Sequence, residues 1–85
     1  SLMAALSIAG ERKLHGLEKD VNNLLWDSSK SVPLRMAAMS SLAKLNPNEQ
    51  LIAKLKSEFM DLENSDKRLK KAAQLTLKKI MKIRG

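Results

Sequence analysis

Apolar residues recur every three or four positions along almost the whole chain, and this spacing predicts helices rather than strands. The pattern divides the chain into four predicted helices, at residues 2–26, 32–45, 47–63 and 66–83. Short polar stretches separate them, and no stretch shows the strict alternation of a half-buried strand. We therefore predict a single all-α domain over residues 1–85, a compact bundle of four to five helices.

Residues that begin or interrupt helices set the predicted boundaries. Ser31 is placed to cap the second helix, with Pro33 in its first turn. Asn46 is placed to cap the third, and Glu49 stands three residues later, the spacing of a capping box. Gly10 weakens the long first helix by about 1 kcal/mol relative to alanine, so a break or bend is expected near it. Either of two side chains could cap the last helix: Ser65 or Asp66.

Two segments resemble each other at an offset of 35 residues. Residues 33–45 (PLRMAAMSSLAKL) align without a gap on residues 68–80 (RLKKAAQLTLKKI), with the alanine pair in register. This offset matches the period of helical repeats of the HEAT type. Unrelated amphipathic helices also look alike, so both explanations stay open at this point.

Charge is distributed unevenly along the chain. The net charge is +7, and residues 1–65 contain as many acidic as basic residues. The whole excess therefore lies in residues 66–85, where eight lysine and arginine residues accompany a single aspartate. A partner attracted by charge should be acidic and should meet this end of the chain.

The basic closing segment is itself amphipathic. At 100° per residue its leucine, alanine and isoleucine side chains fall on one side, and four lysines, the lysine ridge, fall together on the other side. The ridge consists of Lys67, Lys71, Lys78 and Lys82. A disordered basic arm would not sort its charges in this way, so we predict a core helix. Its outer side either is a solvated face without a partner or binds an acidic ligand.

Composition excludes most catalytic and metal chemistry. The chain has one histidine, His15, and neither cysteine nor tyrosine, so a histidine-based triad or a cysteine-containing zinc site has no basis. No glycine-rich phosphate loop is present. We expect no enzyme activity, no cofactor and no metal.

The apolar stretch at residues 2–9 is too short to span a bilayer and lacks the basic residues of a leader before it, so we interpret it as helix.

Position along the chain predicts roles for the few large side chains outside the leucine set. The methionines at 36, 39, 60 and 81 are expected to fill the core. Trp26 ends the first predicted helix, where it either plugs the end of the bundle or anchors a partner. Asp27 follows it and offers a carboxylate at a loop, suited to a backbone donor on a partner.

Residues 11–83 resemble the integrase-binding type of helical domain found in lens-epithelium-derived growth factor and related proteins. This family is related to the N-terminal domain of transcription elongation factor TFIIS. The similar stretches are ERKLHGLEKDVNNLLWDSSKS, RMAAMSSLAKLNPNEQ and AKLKSEFMDLENSDKRLKKAAQLTLKKI. The resemblance implies a right-handed helical bundle in nuclear transcription or chromatin proteins. Such domains bind disordered, acidic segments with an apolar anchor at two interhelical loops.

Carried over by position, the two loops supply four partner-binding residues: Trp26, Asp27, Leu62 and Asn64. Only Asp27 keeps the residue type of the family. The leading hypothesis is therefore a nuclear, non-enzymatic domain that binds acidic, apolar-anchored protein segments, with the lysine ridge steering them. The alternatives are a domain that binds duplex nucleic acid through the ridge, and a HEAT-like scaffold fragment. Single-stranded nucleic acid is disfavoured because only two aromatic residues could stack on bases.

Overall fold

A computed structural model describes residues 1–84, and every regular element in this range is helical. Gly85 lies outside the described residues. The five helices are α1 (Leu2–Glu11), α2 (Glu18–Trp26), α3 (Val32–Leu45), α4 (Glu49–Leu55) and α5 (Lys67–Arg84), with a 3₁₀ turn at His15–Leu17 and a π-helical turn at Lys56–Met60. The prediction of an all-α bundle of four to five helices is confirmed.

The prediction of a single helix over residues 2–26 was wrong. This segment forms two helices, because the chain turns at Lys13, whose φ of 55° lies in the left-handed region. The Lys13 ammonium then donates a hydrogen bond to the carbonyl of Lys44, at 2.7 Å, in the last turn of α3. This turn lets α1 and α2 pack separately against α3, which a straight helix could not do.

Of the predicted starts of the second and third helices, one is confirmed and one is wrong. Ser31 caps α3 by accepting a hydrogen bond from the Leu34 amide. The next helix begins at Glu49 rather than at residue 47, because Asn48 is its cap and accepts from the Leu51 amide at 2.8 Å. Asn46 instead donates to Glu18 at 2.6 Å and joins this loop to the start of α2. The predicted capping box is therefore absent.

The ends around the last loop also differ from the predicted ones. The third predicted helix stops at Met60 rather than at residue 63, because the chain widens into the π-helical turn. Of the two candidate caps for α5, Asp66 accepts from the amides of Arg68 and Leu69. Ser65 donates instead to the Phe59 carbonyl, which holds the loop against that turn.

The core surrounds α3, which packs against α1, α2 and α5. Burial of a leucine or isoleucine side chain contributes about 1.5–3 kcal/mol, so the contacts of its neighbours with this helix are a large source of stability. Met39 is fully buried and Met36 and Met60 are half-buried, whereas Met81 is exposed and fills no core space. The larger core side chains are Leu6, Val21, Leu25, Met39, Leu42, Leu45, Leu51, Ile52, Leu55, Phe59, Leu69 and Ile80.

The two similar segments pack against each other as parts of α3 and α5. Some aligned positions have matching environments: Ala38 and Ala73 are both fully buried, and Ser41 and Thr76 are both buried hydroxyl residues. Others differ, because Met39 is fully buried whereas its counterpart Gln74 is exposed. A shared pattern of burial therefore accounts for only part of the similarity.

One buried polar group in the core has no partner. The Ser41 hydroxyl makes no hydrogen bond to any of residues 1–84. It lies where α1 crosses α3 closely, because a Cβ atom at Gly10 would stand 3.2 Å from the Ser41 Cα. Glycine permits this approach, and the approach leaves the hydroxyl away from solvent.

We predict that Ser41→Ala stabilises the protein by about 1 kcal/mol, because it removes a buried hydroxyl that has lost its hydrogen bonds to water. The matched control is Ser40→Ala on the exposed side of the same helix, which should change stability by less than about 0.5 kcal/mol. Urea unfolding followed by circular dichroism measures both. A clear loss of stability in Ser41→Ala alone would mean that the hydroxyl has a partner in solution.

Candidate functional site

Trp26 and Phe59 stack at one end of the bundle, with ring centroids 5.4 Å apart and ring planes inclined by 13°. Trp26 is the last residue of α2, and Phe59 lies in the π-helical turn after α4. The stack therefore holds the starts of two interhelical loops, residues 27–31 and 61–66, at the same end of the molecule. Three of the predicted partner-binding residues, Asp27, Leu62 and Asn64, lie in these loops, and Trp26 directly precedes the first loop.

Basic side chains cover both rings. The Lys54 ammonium lies 4.4 Å from the centroid of the Trp26 ring, and the Arg35 guanidinium lies 5.7 Å from that of Phe59. Arg35 also donates to the Leu25 carbonyl at 3.0 Å, so it closes the C-terminal end of α2. The Trp26 indole N–H donates to Asn22 at 2.9 Å. Trp26 is thus half-buried and held on several sides, which favours the interpretation as a plug at the end of the bundle.

The Asp27 carboxylate is engaged within its own loop. Its Oδ1 atom accepts hydrogen bonds from the amide of Ser29 at 2.9 Å and from the Ser29 hydroxyl at 2.6 Å. Both hydrogen bonds hold the pKa of Asp27 below its ordinary value of 3.8, and the bond from the Ser29 hydroxyl has the larger effect. Only Oδ2 remains for a donor on a partner.

Leu62 and Asn64 lie on the second loop, and both are exposed. The Leu62 side chain is 49% accessible although it is large and apolar. Its carbonyl accepts a hydrogen bond from the Ser65 amide at 3.3 Å, so the backbone of the loop is fixed while the side chain is exposed. Of the four predicted contact residues, Leu62 is the one that offers an uncovered apolar group.

The lysine ridge lies on the solvent side of α5. All four of its lysines are exposed, and among residues 1–84 none has a carboxylate within 4.0 Å. The two ion pairs of this helix involve its arginines instead, Arg68 with Asp66 and Arg84 with Glu49. The positive charge of the ridge is therefore not compensated within the described residues.

An exposed apolar side chain that sequence reasoning missed lies beside the ridge. Leu75 follows Lys71 by four residues and precedes Lys78 by three, so these side chains are neighbours on the helix surface. It is 51% exposed. The signal was present in the sequence, because the position of Leu75 on the helical wheel is on the basic side.

Sequence reasoning also missed the neighbours of Trp26, which are Phe59, Lys54 and Arg35. No local signal pairs residues so far apart in the chain.

A groove of about 530 Å³ runs between α2 and the start of α4, beside Trp26. His15, Glu18, Asn46 and Lys54 are among the residues that line it.

Residues 1–84 contain no cluster of three or more histidine, cysteine or acidic side chains that could hold a metal ion. Within the same range no helix is both long and apolar enough to cross a bilayer.

Comparison with protein families, with curated proteins and with solved structures found no match for this chain.

We predict that nuclear magnetic resonance titration will give pKa values below 3.8 for both Asp27 and Asp66. The backbone amide of Arg68 is the first cause for Asp66, as the Ser29 hydroxyl is for Asp27. Because both pKa values are lower in the folded state, their stabilisation is complete at neutral pH. It is lost as the pH falls below about 3.8 through the folded-state values.

The variant Ser29→Ala distinguishes the cause of the lowered pKa of Asp27 from that of Asp66. It should raise the pKa of Asp27 towards its ordinary value, because the hydroxyl donor is gone, and it should leave the pKa of Asp66 unchanged. An unaltered Asp27 titration in Ser29→Ala would contradict the hydrogen-bonded geometry of this loop.

Proposed function

We propose that this chain is a non-enzymatic protein-interaction domain that binds acidic protein segments carrying apolar side chains. The observation that carries this proposal is the outer side of α5. There, four lysines without a carboxylate partner among residues 1–84 form a stripe, and the exposed Leu75 lies along its edge beside Lys71 and Lys78. A solvated face needs no leucine, whereas a mixed basic and apolar face suits a partner of the opposite charge with apolar contacts of its own.

The dimensions of the ridge fit a short segment. From Lys67 to Lys82 the helix advances about 22 Å at 1.5 Å per residue. About seven residues of an extended chain cover this distance. Carboxylates on such a segment can meet lysines along the whole ridge, and the unbalanced charge accelerates the encounter.

Leu75 favours a protein partner over a nucleic-acid duplex. Phosphate groups would satisfy the lysines, but a phosphate backbone provides no apolar surface to cover an exposed leucine. The four ridge residues are all lysine, and arginine is the side chain that usually reads guanine in the major groove. Duplex binding therefore remains the alternative, as an electrostatic contact without base recognition.

The Trp26 end supplies a second contact region in this proposal. Leu62 offers an apolar contact there, with Asn64 beside it, and Asp27 offers the Oδ2 atom alone. The family resemblance places partners of this kind among nuclear transcription and chromatin proteins. A HEAT-like scaffold fragment is a further candidate, favoured by the exposed apolar residues Leu2, Met3 and Ile8 of α1.

We predict that a labelled acidic peptide with one central leucine binds this protein and that binding weakens as salt is added. The double variant Lys71→Glu/Lys78→Glu should lower the affinity at least about tenfold, because lysines of the ridge are replaced by like charges of the peptide. Fluorescence anisotropy at low and at physiological ionic strength measures both effects.

The matched control is Lys19→Glu/Lys56→Glu, which makes the same change in net charge on α2 and on the π-helical turn. It should retain most of the affinity, because the proposal depends on where the charges lie. Equal weakening by both double variants would reject a defined site. A DNA duplex that binds more tightly than the peptide, and loses binding in the ridge variant, would support the nucleic-acid alternative instead.

A further inference from the structure

A second, smaller groove lies between the C-terminal halves of α3 and α5. Its volume is about 190 Å³. A cavity of about 150 Å³ accommodates a benzene-sized apolar group, so this space suits one apolar side chain. The groove is lined by Ser40, Ala43 and Lys44 of α3 and by Thr76, Lys79, Ile80, Lys82 and Ile83 of α5.

The lining combines apolar walls with basic side chains. Ala43 and Ile80 are buried in the core, and Ile83 is 69% exposed although the amphipathic pattern assigned it to the buried side. Three lysines complete the lining, Lys44 from α3 and Lys79 and Lys82 from α5, and no acidic residue contributes to it. An apolar group that enters this groove would therefore be accompanied most favourably by negative charge.

The groove is continuous with the lysine ridge. Lys82 belongs to both, and Lys79 follows the exposed Leu75 by one helical turn. A segment held along the ridge would thus pass beside the groove, with Lys79 and Lys82 between the two. On this geometry, and resting on the function proposed above, we propose that the groove receives a single aliphatic side chain of the bound acidic segment.

Charge complementarity selects this occupant over a second copy of the chain. Each copy carries a net charge of +7, and the excess lies in residues 66–85, the same segment that forms one wall of the groove. Two such faces would repel each other, whereas carboxylates beside the inserted side chain would meet Lys44, Lys79 and Lys82.

The test compares two synthetic acidic peptides of identical length and charge, one with a central leucine and one with serine at that position. Burial of the leucine side chain should make the leucine peptide bind about tenfold more tightly. Ser40 lines the groove at an exposed position, so Ser40→Phe can cover it while leaving the ridge intact. In Ser40→Phe the two affinities should differ by less than about twofold, because the anchor no longer has a place to bind.

Two further variants locate the anchor. Ala53→Phe adds the same aromatic ring at an exposed position of α4 and should keep the full difference between the peptides. Leu75→Ser removes the exposed apolar residue beside the ridge, and it should also keep most of the difference in affinity between the two peptides. Circular dichroism spectra and melting curves of all variants confirm that each is folded. In nuclear magnetic resonance spectra, the methyl signals of Ile80 and Ile83 should shift when the leucine peptide is added and should not shift when the serine peptide is added.

The possible outcomes separate the two proposals. If neither peptide binds, the proposed function fails, and the inference fails with it. If both bind with equal affinity, or if Leu75→Ser alone removes the difference, the groove is not the anchor site although the ridge binds acidic segments. A concentration-dependent dimer that Ser40→Phe dissociates would assign the groove to a second copy. Binding to phosphatidylserine vesicles, lost in Ser40→Phe and unmatched by either peptide, would assign it to a lipid; either result overturns the inference.

Discussion

The burial of α3 on several sides is the constraint on which the rest of the structure depends. Its sequence carries apolar or small side chains around most of its circumference, so one neighbouring helix cannot cover it. α1, α2 and α5 all pack against it. To reach separate sides of α3, the first 26 residues must divide into two helices, and Lys13 makes the turn in a conformation that costs energy for a side chain with a Cβ atom. The bond from Lys13 to the end of α3 offsets part of that cost.

The same arrangement explains where the charge lies. α5 needs only one side for its contact with α3, and small side chains such as Ala73 bring the two helices together. Its opposite side is left in water, where lysines are favoured and a leucine is not. The acidic residues of the molecule lie mainly on other elements, and those with side-chain partners among residues 1–84 pair with arginine or with loop donors rather than with the ridge lysines. The result is one helix face whose charge and exposed apolar group both lack a partner among residues 1–84.

Helix content, the position of most loops and the sorting of α5 could be predicted because they depend on residues three or four positions apart. The break after α1 could be located only approximately, near Gly10, because the turn at Lys13 is set by packing on α3. The cap of α4 was misplaced for a related reason. Asn46 and Asn48 are equivalent locally, and the hydrogen bond from Asn46 to Glu18, which belongs to a distant helix, decides between them. Trp26 could be singled out from its place at the end of a predicted helix, whereas its neighbours Phe59 and Lys54 are fixed by tertiary contacts.

The sequence by itself determined that this chain is helical, that its charge excess lies at one end, and that the last helix separates lysines from core side chains. These properties follow from composition and from a periodicity of 3.6 residues, which short-range sterics and hydrogen bonding impose. Only the tertiary structure decided that Asp27 is engaged by its own loop and that Ile83 is exposed rather than buried. It also decided that α3 and α5 leave an apolar groove with three lysines beside it. A groove is a property of two packed surfaces, and no local pattern in either helix specifies how closely their side chains fill the space between them.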